Sequence, residues 1–199
     1  MTTSWGRPAP YRGALSELFR LLCATYLVLT GWRPLGDWPA APKAVVVAAP
    51  HTSNWDAVHM LAAAGYYRVT LRWMGKRSLT RGPFGWLMTA LGCVPIDRSA
   101  RQDTVQAMTN AFASNDRMLL VVPPEGTRSL TLAWKSGFYH IARLAGVPII
   151  PAVMDYGPKT IRICEMFLTT GDYDADVATI RRHYRDAVGR HAGKFAAET

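Results

Sequence analysis

The sequence predicts a single α/β domain: a mixed, mostly parallel central sheet flanked by helices, with an N-terminal membrane-associating helix. Three observations carry this. Short apolar, partly β-branched runs alternate with helical stretches from residue 44 to residue 190. The polar motifs follow the apolar runs directly, which puts them at strand carboxyl ends, where sites in α/β sheets form. The 199 residues, 49% hydrophobic and 19% charged, suit one packed core rather than disorder.

Residues 14–30 read as a helix, stopped by Gly31 and Pro34. Residues 32–42, with Pro34, Pro39 and Pro42, read as a connector, so residues 1–42 form an N-terminal helix plus connector ahead of a main domain at 43–199. Residues 44–49 (A-V-V-V-A-A) predict a buried strand, and a helix follows to Gly65. Strands are predicted at 69–73, 93–96, 117–122, 147–153 and 160–163. Helices are predicted at 83–91, opening on Pro83, at 104–113, at 136–145, ended by Gly146, and at 177–190.

The net charge is +9 and unevenly placed. Between Tyr66 and Arg101 stand seven basic residues and one acidic residue, whereas from Asp172 onward the two kinds balance at five each. Such a block attracts anionic lipid, a phosphorylated substrate or nucleic acid. Leu21 to Trp32 is uncharged but twelve residues long, against the roughly 20 that a span needs. It starts late and no small-residue cleavage site follows, which argues against a signal peptide. The expectation is peripheral attachment through the N-terminal helix and basic residues; the alternative is that this helix packs on the core. Cys23, Cys93 and Cys164 are odd in number and widely spaced, and imply neither a disulfide framework nor a metal site.

Four motifs remain. His51-Thr-Ser-Asn-Trp-Asp56 follows the first predicted strand, so Asp56, on the first helical turn, can reach back to His51. A carboxylate on one ring nitrogen fixes the tautomer and leaves the other nitrogen as a base. The alternative is a helix-capping loop, with Ser53 or Asn54 as the cap. Pro124-Glu125-Gly126-Thr127-Arg128-Ser129, with Lys135 beyond it, also follows a strand. It offers a glycine turn, two hydroxyls and a guanidinium fork to an anion, or else is a plain turn with a solvated arginine. Gly92-Cys-Val-Pro-Ile-Asp97-Arg98 offers Arg98 to an anion with Asp97 orienting it, or a surface ion pair. Val147-Pro-Ile-Ile-Pro151 reads as a core strand.

The order H-x-x-x-x-D, G-x-x-x-I-D-R, P-E-G-T-R-S, V-P-I-x-P, spanning residues 51–151, resembles the glycerophospholipid acyltransferase family, whose best-known members are lysophosphatidate acyltransferases. The strings W-M-G-K (73–76) and P-P-E-G-T-R-S are similar to a subgroup of small bacterial members, although Pro50 stands where many relatives have Asn and Pro123 where an aromatic is common. The resemblance implies that His51 is the base and Asp56 its orienting partner. It implies that Arg98, with Gly92 and Asp97, helps bind the acceptor phosphate, that Glu125, Gly126 and Arg128 shape the acceptor site, and that residues 147–151 support the acyl pocket. The implied donor is acyl-CoA or acyl-carrier protein, as co-substrate rather than cofactor. The implied acceptor is a lysophospholipid at the cytoplasmic face of a membrane, most specifically 1-acyl-sn-glycerol-3-phosphate. Other lipid acceptors are the alternative.

The chemistry needs no acyl-enzyme, because a thiol with a pKa of about 8.5 leaves readily. No G-x-S-x-G elbow is present. Backbone N–H groups of residues 52–54 or 126–128 are candidate oxyanion donors, and Phe84, Trp86, Leu87 and Met88 candidate acyl-tunnel residues, or ordinary core. A non-catalytic lipid binder, a thioester hydrolase and a nucleic-acid binder are the competing classes. The last has no recognised motif here, and no metal ligands are implied.

Overall fold

The computed structural model describes residues 13–96 and 101–196, the side chains of 101–103 excepted. In chain order the elements are α1 (Ala14–Leu29), β1 (Arg33–Leu35), β2 (Lys43–Ala49), α2 (Trp55–Tyr67), β3 (Leu71–Lys76), α3 (Arg77–Arg81), α4 (Gly85–Ala90), β4 (Cys93–Ile96), α5 (Arg101–Ala113), β5 (Met118–Val122), α6 (Gly137–Ala145), β6 (Ile149–Asp155), β7 (Thr160–Ile163) and α7 (Tyr173–Arg181). They form one seven-stranded sheet in the order β1-β7-β6-β2-β5-β3-β4. β6, β2, β5, β3 and β4 are parallel. β7 runs antiparallel to β6, and β1 runs parallel to β7. The expected mixed, mostly parallel α/β sheet is what forms.

β2 lies mid-sheet and shows why its sequence is apolar on both faces. Ala44, Val46 and Ala48 meet Leu27, Trp32, Met60 and Ala63 on the side of α1 and α2. Val45, Val47 and Ala49 meet Phe112, Phe138, Ile141 and Tyr184 on the side of α5, α6 and α7. A strand covered on both faces cannot alternate polar with apolar.

Three elements depart from the expected pattern. β1 lies inside the predicted connector; as a three-residue edge strand it tolerates Pro34, which cannot donate to a ladder. The chain before residue 43 therefore joins the same sheet rather than standing apart. α3 was not predicted. The closing helix begins at Tyr173, not 177, because Asp172 caps it by accepting from the Ala175 N–H at 3.1 Å, and it gives way to a 3₁₀ turn at Arg182–Tyr184. The Tyr184 hydroxyl holds that turn to the sheet by donating to Val47 O at 2.7 Å.

α1 packs on the core and also keeps an apolar outer face. Ser16, Cys23 and Leu27 are buried, whereas Leu15, Leu18, Leu22, Val28 and Leu29 are exposed. No helix among the described residues is long and apolar enough to cross a membrane. The α1–α2 approach depends on Gly65, where a Cβ would fall 2.4 Å from Cys23 Sγ and 2.9 Å from Phe19. At the end of α2, Arg68 makes two hydrogen bonds of 2.8 Å to Glu17 and, with Arg20, holds that carboxyl at about 2. Gly65→Val is expected to lower unfolding free energy by about 1–3 kcal/mol through overpacking at this contact, read by urea denaturation.

Candidate active site

Three neighbouring parallel strands end at one place. β2 leads into His51, β5 into Glu125 and β6 into Tyr156. Val47 pairs with Val122 and Ala49 with Val153, so the three loops leave the sheet side by side. This is the carboxyl edge, where the first helical turn of α2 also begins.

His51 Nδ1 lies 3.2 Å from Asp56 Oδ2, with the imidazole 26% exposed and the carboxylate 2%. The carboxylate is held on all sides. Its Oδ2 also accepts from the N–H groups of Thr52 (2.7 Å) and Ser53 (2.8 Å), and its Oδ1 accepts from the Tyr156 hydroxyl (2.6 Å). Burial opposes the charge, yet the hydrogen bonds from His51, Tyr156 and Ser53 outweigh it and keep the carboxyl below its usual range. Asp56 is thus ionised at neutral pH, and among the described residues His51 Nε2 has no carboxylate partner. The capping alternative holds in part: Asn54 makes no side-chain cap bond, but Ser53 Oγ accepts from the Trp55 N–H at 3.3 Å, while Asp56 takes the Thr52 and Ser53 N–H groups. The Thr52 and Ser53 N–H groups are therefore committed to Asp56, which narrows the expected oxyanion donors to Asn54 of that loop and the turn at 126–128.

The second loop closes against the first. The His51 N–H donates to Glu125 Oε1 at 2.8 Å. Glu125 is buried, its Oε2 has no hydrogen-bond partner among the described residues, and burial pushes its carboxyl up. Gly126 adopts a left-handed φ of 62°, and a Cβ there would lie 2.6 Å from Lys135 Cδ, so the lysine stem lies across the turn. Thr127 Oγ1 accepts from the Ser129 N–H at 3.2 Å. The exposed Arg128 guanidinium donates to Asn54 Oδ1, which brings this cation to the His51 loop.

The structure thus gathers His51, Asp56, Glu125, Gly126, Thr127, Arg128, Ser129 and Lys135. Gly92 is elsewhere. Its φ is 88° and a Cβ would fall 2.0 Å from Leu71 O, at the amino end of β4, the opposite edge of the sheet from His51. It serves the turn, and the expectation that it takes part in substrate binding is corrected. Asp97 and Arg98 lie outside the described residues. Phe84 and Trp86 are 68% and 72% exposed, Leu87 is exposed and Met88 half-buried, so α4 shows these side chains to the surface instead of lining a tunnel or filling the core.

Sequence reading missed two contributors. Tyr156, immediately past β6, reaches Asp56 across 100 residues; its place after a strand was the available signal. The segment after α7 also returns to the site. Gly189 packs so closely on Thr52 that a Cβ would lie 2.6 Å from its Cγ2, the His191 N–H donates to Thr52 Oγ1 at 3.3 Å, and the Arg190 guanidinium lies 5.5 Å from the centre of the Trp55 ring. No group of acidic, His or Cys side chains among the described residues is arranged to hold a metal.

A family model described as Acyltransferase matches residues 37–155, which takes in the His51 and Glu125 loops and ends at Asp155, just before Tyr156. The chain belongs to the acyltransferase family. Relatives of this family member include the 1-acyl-sn-glycerol-3-phosphate acyltransferases of Saccharomyces cerevisiae (33% identical over 128 residues, 60% of this chain and 41% of that protein), Salmonella typhimurium (38% over 113, 53% and 44%) and Escherichia coli (36% over 125, 59% and 49%). The chain spans less than half the length of each. The acyltransferase fold is matched by the crystal structure of the 1-acyl-sn-glycerophosphate (LPA) acyltransferase PlsC from Thermotoga maritima, with TM-score 0.59 and 18% identity, over 85% of this chain and 76% of that one.

Proposed function

We propose that this acyltransferase moves a fatty acyl group from acyl-CoA or acyl-carrier protein to the free hydroxyl of a lysophospholipid, 1-acyl-sn-glycerol-3-phosphate by preference. The observation that carries it is the His51–Asp56 contact, with the carboxylate immobilised by three further donors. A carboxylate so held faces Nδ1 and leaves Nε2 to take a proton. The names of the relatives supply the acceptor.

In this reading the acceptor oxygen attacks the thioester carbonyl while its proton passes to His51 Nε2. The carbonyl becomes an oxyanion, for which the N–H groups of Thr127 and Arg128 are the candidate donors. Collapse of this intermediate expels thiolate, which takes the proton back from the imidazolium. Asp56 opposes the positive charge while it exists. Arg128 and Lys135 supply cations for the acceptor phosphate, with Arg98 a further candidate. The exposed apolar face of α1 would rest on the cytoplasmic leaflet and bring the acceptor within reach.

Thiol release from acyl-CoA with and without lysophosphatidate, with product masses, tests this. Acceptor-dependent release with formation of phosphatidate is expected; release that ignores the acceptor would make the protein a thioesterase. Arg128→Ala is expected to raise the apparent KM for lysophosphatidate roughly tenfold or more, the effect of losing a hydrogen bond to a charged group, with the donor KM little changed. An effect confined to the donor overturns the assignment of Arg128.

A further inference from the structure

We propose that Tyr156 is a positioning residue for the acyl transfer, its hydroxyl fixing which oxygen of Asp56 faces His51. The inference rests on His51 acting as the base.

The geometry is asymmetric. His51 Nδ1, the Thr52 N–H and the Ser53 N–H all meet Oδ2, whereas Tyr156 alone of these four meets Oδ1. Three of the four contacts come from the loop that carries His51 itself. Tyr156 is the one that comes from another strand, so it ties the loop's carboxylate to the sheet. Without it, the carboxylate can turn about its Cβ–Cγ bond, a soft torsion with broad minima.

The phenol is well placed to act as a fixed strut. Its ring sits edge-on to Trp32, with centroids 4.7 Å apart and planes at 88°, and against His59 at 5.8 Å. His59 is buried and bonded through Nδ1 to the Tyr26 hydroxyl at 3.1 Å. The Tyr156 N–H donates to Val188 O at 2.8 Å, which secures the backbone to the segment after α7. Burial, together with the bond to Asp56 and its charge, pushes the phenol up, so it stays protonated and donates throughout the working pH range.

Other charges surround the pair. Glu125 faces the His51 backbone from the β5 loop, His59 faces Asp56 from α2, and Arg190 reaches Tyr156 from the segment after α7. Lys159 acts on His59 from the β6–β7 turn, and Arg128 and Lys135 border the loop through Asn54 and Gly126. Tyr156→Phe leaves these groups in place and, besides the bond to Asp56, removes only the hydroxyl's contact with Arg190. It removes one donor from Asp56 and leaves more negative charge to face His51.

The test is Tyr156→Phe, assayed by thiol release with acyl-CoA and lysophosphatidate. Loss of a hydrogen bond to a charged group predicts a fall in kcat of about 10- to 100-fold, with both KM values within about twofold. The less-shared carboxylate charge should hold the imidazolium more tightly and move the acid limb of kcat/KM to higher pH. A structural role alone would lower the melting temperature and leave that limb in place. Because Tyr156 acts through Asp56, Tyr156→Phe placed on Asp56→Asn should lower kcat by less than about a further twofold. Fully multiplicative losses, or an unmoved acid limb with kcat within twofold of wild type, overturn the inference. If His51→Ala is inactive in the same assay, that failure belongs to Tyr156 alone; if His51→Ala is active, the base reading falls and takes this inference with it.

Discussion

His51→Ala is expected to lower kcat by about 10²- to 10⁴-fold, the span that a positioned general base contributes, with folding unchanged. Both halves follow from where the residue's contacts originate. The imidazole is partly exposed and its one described polar contact is with Asp56. The bond that joins its loop to Glu125 is made by the backbone N–H and survives truncation. Asp56 keeps three of its four partners, so no buried charge is left bare. Thiol release and thermal unfolding, measured on one preparation, check the two halves. A variant that keeps more than about a tenth of wild-type activity contradicts the role of base.

Asp56→Asn is expected to cost about 10³-fold or more in kcat, for a different reason. An amide can keep much of the geometry: its oxygen accepts from the Thr52 and Ser53 N–H groups, and its nitrogen donates to a Tyr156 hydroxyl turned to accept. What it lacks is the charge that opposes the imidazolium. This loss has a pH signature in stability. The Asp56 carboxyl is held below its usual value in the fold, so its ionised form stabilises the native state above the unfolded carboxyl pKa of about 3.9. That contribution is lost as pH falls through the lowered folded value. Urea unfolding should therefore show wild type ahead of Asp56→Asn at neutral pH, and the gap closing in acid. A gap that is constant with pH contradicts the charge argument.

The parts of this site written within a few residues of one another were legible in the sequence. His51 and Asp56 lie on one loop and one helical turn, so spacing alone brings them together. Glu125 to Arg128 follow a strand, and the parallel sheet then delivers them to the same edge. What spacing could not show depends on partners far along the chain. Tyr156 stands 100 residues from Asp56. Gly189 and His191 return to Thr52 from beyond α7, where a helix was expected to continue to residue 190. Gly92 belongs to a site motif in sequence, yet it stands before β4, a strand's length from the carboxyl edge of the sheet that carries His51. The exposure of Phe84 and Trp86 was hidden for another reason: apolar composition marks a surface that meets lipid as readily as one that meets core.

The most direct test of the central claim is the nitrogen NMR spectrum of His51, assigned by comparison with His51→Ala and recorded in alkaline buffer. The paired geometry predicts a neutral ring that carries its proton on Nδ1, toward Asp56, with a bare Nε2 able to receive the acceptor's proton. A neutral ring protonated on Nε2 would contradict it, since the nitrogen needed as a base would already be filled.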